Sequence, residues 1–311
     1  MSGSSSVSPK TNSEYLIIYE VKNANPNGDP DDENRPRMDY KTKTNYVSDV
    51  RLKRFFRDYV IMKHGIDYVW ITKVGGEHVD ATKRLEMFGN DPSKVLSSCI
   101  DVRLFGATIP KKGGKSKGKG SEDEGKGESI SYTGPLQLTW GYSLHKVDPM
   151  DSRSITSLFS GRDTGAGNIG KDYRVYYSLI AFYGAFSWRR GKETMVTEKD
   201  LKVFDNYLWN AILEESVTRS KIGHYPLLYL RLEHKDPDTL LGDLRRFVKV
   251  TQKKENVRGL DDLSIDLSVL ANKLKDKGTV YLRCAEEFSE VCKPLIGLNL
   301  IQLPHKDVKF P

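Results

Sequence analysis

Asn23-Ala-Asn-Pro-Asn-Gly-Asp-Pro-Asp-Asp-Glu-Asn-Arg-Pro-Arg-Met-Asp39 follows an apolar run, Tyr15 to Val21. The run reads as a buried strand. Asn-Pro, Asn-Gly and Asp-Pro in succession favour turn dihedrals, so this stretch is predicted to hold neither helix nor strand. Asp29, Asp31, Asp32 and Glu33 are followed at once by Arg35 and Arg37, which puts both signs of charge on one loop. A plain solvated turn is the alternative.

Beyond the loop, Val47 to Lys63 reads as a helix with Ser48 or Asn45 as its cap. Leu52, Phe55, Phe56, Tyr59 and Val60 form its apolar stripe, and Arg51, Arg54 and Arg57 recur every three residues on another face. Free N-H groups at the start of such a helix favour phosphate. Residues 35 to 63 hold nine Lys or Arg against three Asp, so this segment supplies +6 of a formal net charge of +7. Residues 145 to 190 add seven basic residues against four acidic ones. Clustered charge of this kind points to a polyanion partner, with a solvated surface as the alternative.

A length of 311 residues with 38% hydrophobic content suffices for a sizeable core. No apolar run approaches the ~20 residues of a membrane helix, and Met-Ser-Gly-Ser-Ser-Ser at the start has no signal-peptide character, so a cytoplasmic protein without membrane contact is expected. Cys99, Cys284 and Cys292 are few, odd in number and widely spaced, which argues for core thiols rather than a disulfide framework or a zinc site.

Residues 1 to 13 are Ser-rich and predicted to be disordered. Tyr68 to Thr72 reads as a second strand. Residues 76 to 133 form an insertion with a helical pattern at Ala81 to Phe88, an apolar patch at Val102 to Ala107, and a Lys, Gly and Ser tract at 111 to 128 that cannot order itself. Gly134 to Leu144, Tyr173 to Phe186 and Tyr225 to Leu232 read as strands. His145 to Asp172, between the first two, is too long for a hairpin turn and reads as a projection. Thr197 with Asp200 is a capping box opening a helix through Leu201, Phe204, Leu208 and Ile212. Helices near Leu240 to Val250 and Leu263 to Leu274 and a strand near Val280 to Cys284 complete the chain, their docking left open. The order is an interrupted β-α-β-β-α-β arrangement within residues 14 to 311: an α+β, ferredoxin-like palm with large insertions, of the topology that the RNA recognition motif shares.

Gly165-Ala-Gly-Asn-Ile-Gly-Lys171 satisfies Gly-x-Gly-x-x-Gly, yet no strand precedes it and no helix follows, and Asp172 stands where a phosphate loop has Ser or Thr; no nucleotide is expected there. Tyr183-Gly-Ala-Phe186 is similar to an RNA-recognition core motif with the wrong aromatic spacing, and its aromatics read as core. The six histidines show no metal-ligand spacing, and there is no nucleophile elbow and no His-Glu-x-x-His, so neither cofactor, metal nor catalytic residue is assigned.

Asn-x-Asn-Pro-Asn-Gly-Asp-Pro, then Asn-Arg-Pro-Arg-Met-Asp, then Asp49-Val-Arg-Leu-Lys-Arg54, closely over residues 15 to 57, resembles the backbone subunit of type I CRISPR Cascade complexes, nearest to subtype I-B. Gly134-Pro-Leu-Gln-Leu-Thr-Trp-Gly-Tyr-Ser-Leu144 resembles the same family. The resemblance implies a non-catalytic protein that polymerises along a CRISPR guide RNA, copy against copy and beside other Cascade subunits, and presents the guide for pairing with target DNA. Residues 145 to 172 would be the thumb, in which Ile155, Leu158 and Phe159 would wedge between bases. RNA contacts are expected from Asn25, Asn27, Arg35, Arg37, Arg51, Lys53, Arg54, Arg57, His145, Arg153, Arg162, Asn168, Lys171 and Arg174. The rival is a metal-dependent ribonuclease like type III relatives, which cut target RNA with an Asp in the equivalent loop; here Asp29, Asp31 and Asp32 would hold Mg2+.

Overall fold

The computed structural model describes residues 7–111, 128–150, 153–157, 168–215 and 221–311. The apolar run becomes strand β1 (Ser13–Ala24), and the sheet is built outward from it. The other strands of that sheet are β2 (Met38–Asp39), β3 (Thr44–Val47), β4 (Leu136–Leu138), β5 (Gly141–Ser143), β6 (Val175–Phe186), β7 (His224–His234), β8 (Gly278–Cys284) and β9 (Leu300–Gln302). Among the described residues their order is β9-β8-β7-β1-β6-β5-β3-β2, with β4 also pairing with β6. Both neighbours of β1 are antiparallel to it: Ser13 lies opposite Phe186 on one side and Glu233 on the other. Among the described residues only the β8–β9 pair is parallel. The ladder with β7 slips between Ile18 and Tyr19, where Pro226 faces Tyr19 and has no N-H to donate.

Helices α1 (Asp49–His64) and α2 (Glu198–Glu215) cover one face of the sheet. Tyr15 meets Phe204 edge-on at 5.7 Å, and Phe56 meets Phe204 at 5.3 Å, so strand, first helix and second helix share one aromatic layer. Glu14, pointing to the opposite face by strand alternation, accepts hydrogen bonds from the backbone N-H groups of Leu241 and Gly242. Leu244, Leu263, Leu267 and Leu270 join the same core, so part of the C-terminal region docks here while β8 and β9 extend the sheet. With both faces covered, β1 carries an unbroken apolar run, Tyr15 to Tyr19, rather than alternating. The fold class is thus α+β around a large mixed sheet.

Several expected elements differ. Residues 7–12 are tied in rather than disordered: Glu198 N donates to Val7 O, and Asn12 N donates to Pro237 O. The polar loop carries strand pieces after all, because Gly28–Asp29 pairs with Arg35–Pro36 in a small hairpin and β2 joins the main sheet. Tyr68 to Thr72 is not a strand; Ile66–Tyr68 forms a 3-10 turn, and Val69 and Trp70 turn into buried positions. Gly134 to Leu144 is broken into β4 and β5, since Gly141 presses on the Phe182 ring so closely that any Cβ there would collide. Leu240 to Val250 supplies only the 3-10 turn Leu244–Phe247 and the strand Lys249–Gln252; Leu263 to Leu274 splits into strand Leu263–Asp266 and helix Ser268–Leu274. Cys284 and Cys292 form a disulfide, against the expectation of free thiols, whereas Cys99 is free and buried.

Residues between α1 and β4 build a second, smaller core of Trp70, Leu85, Val95, Leu96, Cys99, Val102 and Ile109. Its hairpin, Gly106–Pro110 with Ser129–Thr133, returns beside β4 at Gly134, where a Cβ would strike the Phe105 carbonyl. The ionic tract 112–127 lies outside the described residues. Buried arginines join the two cores: Arg57 of α1 donates to Asp101 at 2.8 Å, and Arg103 forks onto Asp200 of α2 at 2.7 and 3.0 Å. Asp200 also completes the capping box with Thr197, as its spacing predicts.

Candidate nucleic-acid interface

The loop from residue 24 to 47 is held from three sides. Asn25, buried, donates through Nδ2 to Asn34 O at 2.7 Å and closes the hairpin. Asn27 Oδ1 accepts from Ser48 N and Oγ at 2.9 and 3.0 Å, while Ser48 Oγ caps α1 by accepting from Arg51 N. Asn25 and Asn27, expected at RNA, therefore spend these groups on shaping the loop. From below, the buried Lys221 ammonium donates to the carbonyls of Asn25 and Pro26. Asn23, Glu33 and Asn34 take positive φ at 51°, 48° and 60°, a conformation asparagine tolerates well.

The third anchor is the base of the projection. Arg153–Ser157 pairs with Asn168–Asp172 as a two-stranded arm, separate from the main sheet. Asn168 and Gly170 thus lie in a strand, which is no phosphate loop. Lys171 Nζ donates to both oxygens of Glu33 at 2.8 and 2.9 Å, and Tyr173 Oη donates to the same carboxylate at 2.6 Å. Those two donors pull the Glu33 carboxyl down to about 2. Arg174 holds Asp172 and donates to Asn23 O at 2.8 Å. Arg153 and Asn168 are placed by backbone on the arm; Arg162, Leu158 and Phe159 lie outside the described residues. The arm starts later than expected, because His145 and Val147 are buried against the sheet.

Arg35 and Arg37 stand two residues apart on one side of the hairpin's returning strand. Arg35 lies 4.8 Å from the Tyr173 ring centre, with Asp32 at 3.6 Å. Arg37 donates to Asp29 at 3.0 Å and sits 5.7 Å from the ring of Trp140, which is 49% exposed. Nearby, a cleft of about 530 Å³ is lined by Lys41, Lys43, Lys146, Lys253 and Lys254, with Asp148 and Glu255. This cleft and Trp140 escaped the sequence reading. The lysines come from three distant segments, and only folding brings them together.

The expected arginine stripe of α1 is not a free basic face. Arg57 is 5% exposed and bound to Asp101, which also accepts from the N-H groups of Trp70 and Ile71, so its expected phosphate contact is corrected to an internal ion pair. Lys53 holds Asp49 at 2.8 Å, Arg54 donates to Asp58 at 2.8 Å, and Arg51 lies 4.3 Å from the Phe55 ring. His145 is likewise internal: Nε2 accepts from Leu179 N at 3.1 Å, Nδ1-H donates to Lys146 O at 2.7 Å, and burial keeps its pKa below the usual histidine value. A charge repeat along a helix says nothing about what lies opposite it in space.

Residues 11–268 match the family model described as CRISPR-associated protein Cas7. The chain belongs to the Cas7 family. A "CRISPR-associated protein Cas7" of Haloferax volcanii is 29% identical over 288 residues, covering 85% of this chain and 82% of that relative. This Cas7-family chain is also similar to a solved chain titled "CRISPR RNA-guided surveillance complex", 14% identical with a TM-score of 0.47 over 89% of this chain and 90% of that one. A second, titled as the same complex in a pre-nicking state, is 11% identical with a TM-score of 0.48 over 89% and 93%. No helix among the described residues of this Cas7 relative is long and apolar enough to cross a membrane.

Proposed function

We propose that this chain is a non-catalytic, guide-RNA-binding backbone subunit of a type I CRISPR surveillance complex, of the I-B kind. It polymerises along the RNA beside copies of itself and other subunits in the cytoplasm and presents the guide for pairing with target DNA. The observation that carries the reading is the loop of residues 24–47: family membership covers it, and its scaffold holds Arg35 and Arg37 beside an arm of separate strands. The strand order β7-β1-β6-β5, with α1 and α2 as the two crossovers, supports a ferredoxin-like palm as one domain carrying the 76–133 insertion and the arm as a thumb. Arg35, Arg37, Arg51, Lys53, Arg54, Lys171 and Arg174 are the phosphate contacts within this reading, with Arg153, Arg162 and Asn168 on the thumb. Sequence specificity then belongs to base pairing, as in other guide-directed effectors.

Co-expression with a CRISPR array tests this directly: a co-purifying RNA of uniform length is expected, and protein free of RNA would sink the assignment. The ribonuclease rival gains no support from the loop, in which Asp29 faces Arg37 and Asp32 faces Arg35. Incubation of the assembly with complementary RNA and Mg2+ is expected to give no cuts; regular cuts lost in Asp29→Ala would reinstate the rival.

A further inference from the structure

We propose that Trp140 is a nucleobase platform: one base of a single-stranded RNA stacks on its indole ring beside the Arg37 guanidinium. The inference rests on the RNA-binding reading and adds to it a contact with bases rather than with phosphates.

Three observations converge on this ring. Large aromatics are normally covered, and Trp70 and Trp209 are each 5% exposed, whereas Trp140 is 49% exposed. Its backbone is held on both sides: Thr139 N donates to Tyr183 O at 2.9 Å before it, Arg245 Nη1 donates to Trp140 O at 2.7 Å, and the next residue, Gly141, is pressed against Phe182. The backbone that carries the open ring is thus held against the sheet. Finally, it sits against the basic hairpin. Arg37 lies over it at 5.7 Å, Asn45 Nδ2 and Tyr46 N donate to Arg37 O, and Arg35 forms a parallel pair with the nearly buried Tyr173. Of these two guanidinium–aromatic pairs, only that of Trp140 presents a large open aromatic surface. An open π surface on a held backbone, beside cations that attract phosphate, is the chemistry by which proteins hold unpaired bases without reading their sequence.

The experiment uses the full chain and two ligands of equal length and charge: a uridine oligomer and the matching abasic ribose-phosphate oligomer. Wild type is expected to bind the uridine oligomer more tightly. Trp140→Ala should weaken that binding about five- to a hundred-fold, leave binding of the abasic oligomer unchanged and leave the melting temperature unchanged. Trp140→Phe should restore part of the loss. Binding of the uridine oligomer should also quench tryptophan fluorescence in wild type and not in Trp140→Phe. Equal losses for both oligomers, equal effects of Ala and Phe, or weakened self-association with RNA affinity intact would each overturn the platform while the RNA-binding reading stands. A wild-type chain that binds neither oligomer would overturn both.

Discussion

Arg57 on α1 and Arg37 on the preceding loop each grip an aspartate, Asp101 at 2.8 Å and Asp29 at 3.0 Å. The geometry is nearly the same, but the surroundings are not. The Arg57 pair is 7% and 1% exposed, the Arg37 pair 26% and 27%. Beneath α1 an ion pair works in low dielectric and has no water to fall back on; on the loop, water and salt compete for both partners. One pair joins two cores, and the other, in the proposed RNA-binding role, would exchange its aspartate for a phosphate.

The largest expected effect breaks the inner pair. Arg57→Ala leaves Asp101 charged and buried, which should cost about 3–5 kcal/mol in urea unfolding. Arg37→Ala should stay within about 1 kcal/mol. If the two variants unfold at the same urea concentration, burial is not what separates them.

That contrast also marks how far the sequence could be read. β1 was legible as an unbroken apolar run, α1 and α2 because their apolar positions recur at 3.6 residues, and Thr197 with Asp200 because a cap is local. Arg57 was misread because its partner lies 44 residues away, and no periodicity on α1 reports it. Val69 and Trp70 resemble a strand in composition, yet tertiary burial, Val69 in the main core and Trp70 in the smaller one, decided their state. Trp140 was hidden inside a run read as one strand, since the break at Gly141 depends on the Phe182 ring. Of the candidate site, the loop and its arginines were visible, while the scaffold of Lys221, Tyr173 and Glu33 arises from long-range contacts.

The outer pair is sharpened by salt. Replacing Arg35 and Arg37 together by Ala should weaken RNA binding equally for unrelated sequences and flatten the log–log salt dependence by about 0.7 to 0.9 per lost contact. An unchanged slope would remove these residues from the phosphate path.

Acidification addresses the buried histidines. Burial pushes the His224 pKa down from 6.5 to about 3 and also lowers His145 and His64. Each histidine then takes its proton more readily unfolded than folded, so its contribution is complete above pH 6.5 and is lost as pH falls through its lowered folded value, about 3 for His224. Urea midpoints should drop between pH 7.5 and pH 5, and His224→Gln should narrow that difference. A midpoint rising on acidification would contradict the buried, neutral assignment.

The smallest effect lies between the two regions. Arg54 and Asp58 form a partly exposed pair one helical turn apart, 35% and 24% open. Arg54→Ala should cost about 0.3–0.5 kcal/mol. A loss as large as that of Arg57→Ala would mean that α1 has no wet side.

The position of β1 at the middle of the sheet sets a problem of timing. Its two partners, Val175–Phe186 and His224–His234, emerge from the ribosome long after Ser13–Ala24. At ~5–20 residues per second the first of them arrives on the order of ten seconds later. Through that interval the apolar run of the central strand has both edges open, and α1 is made before the strands that will seat it. Nascent chains of this protein are expected to need a holdase during the wait, or else to be lost to edge-to-edge association before the sheet can close.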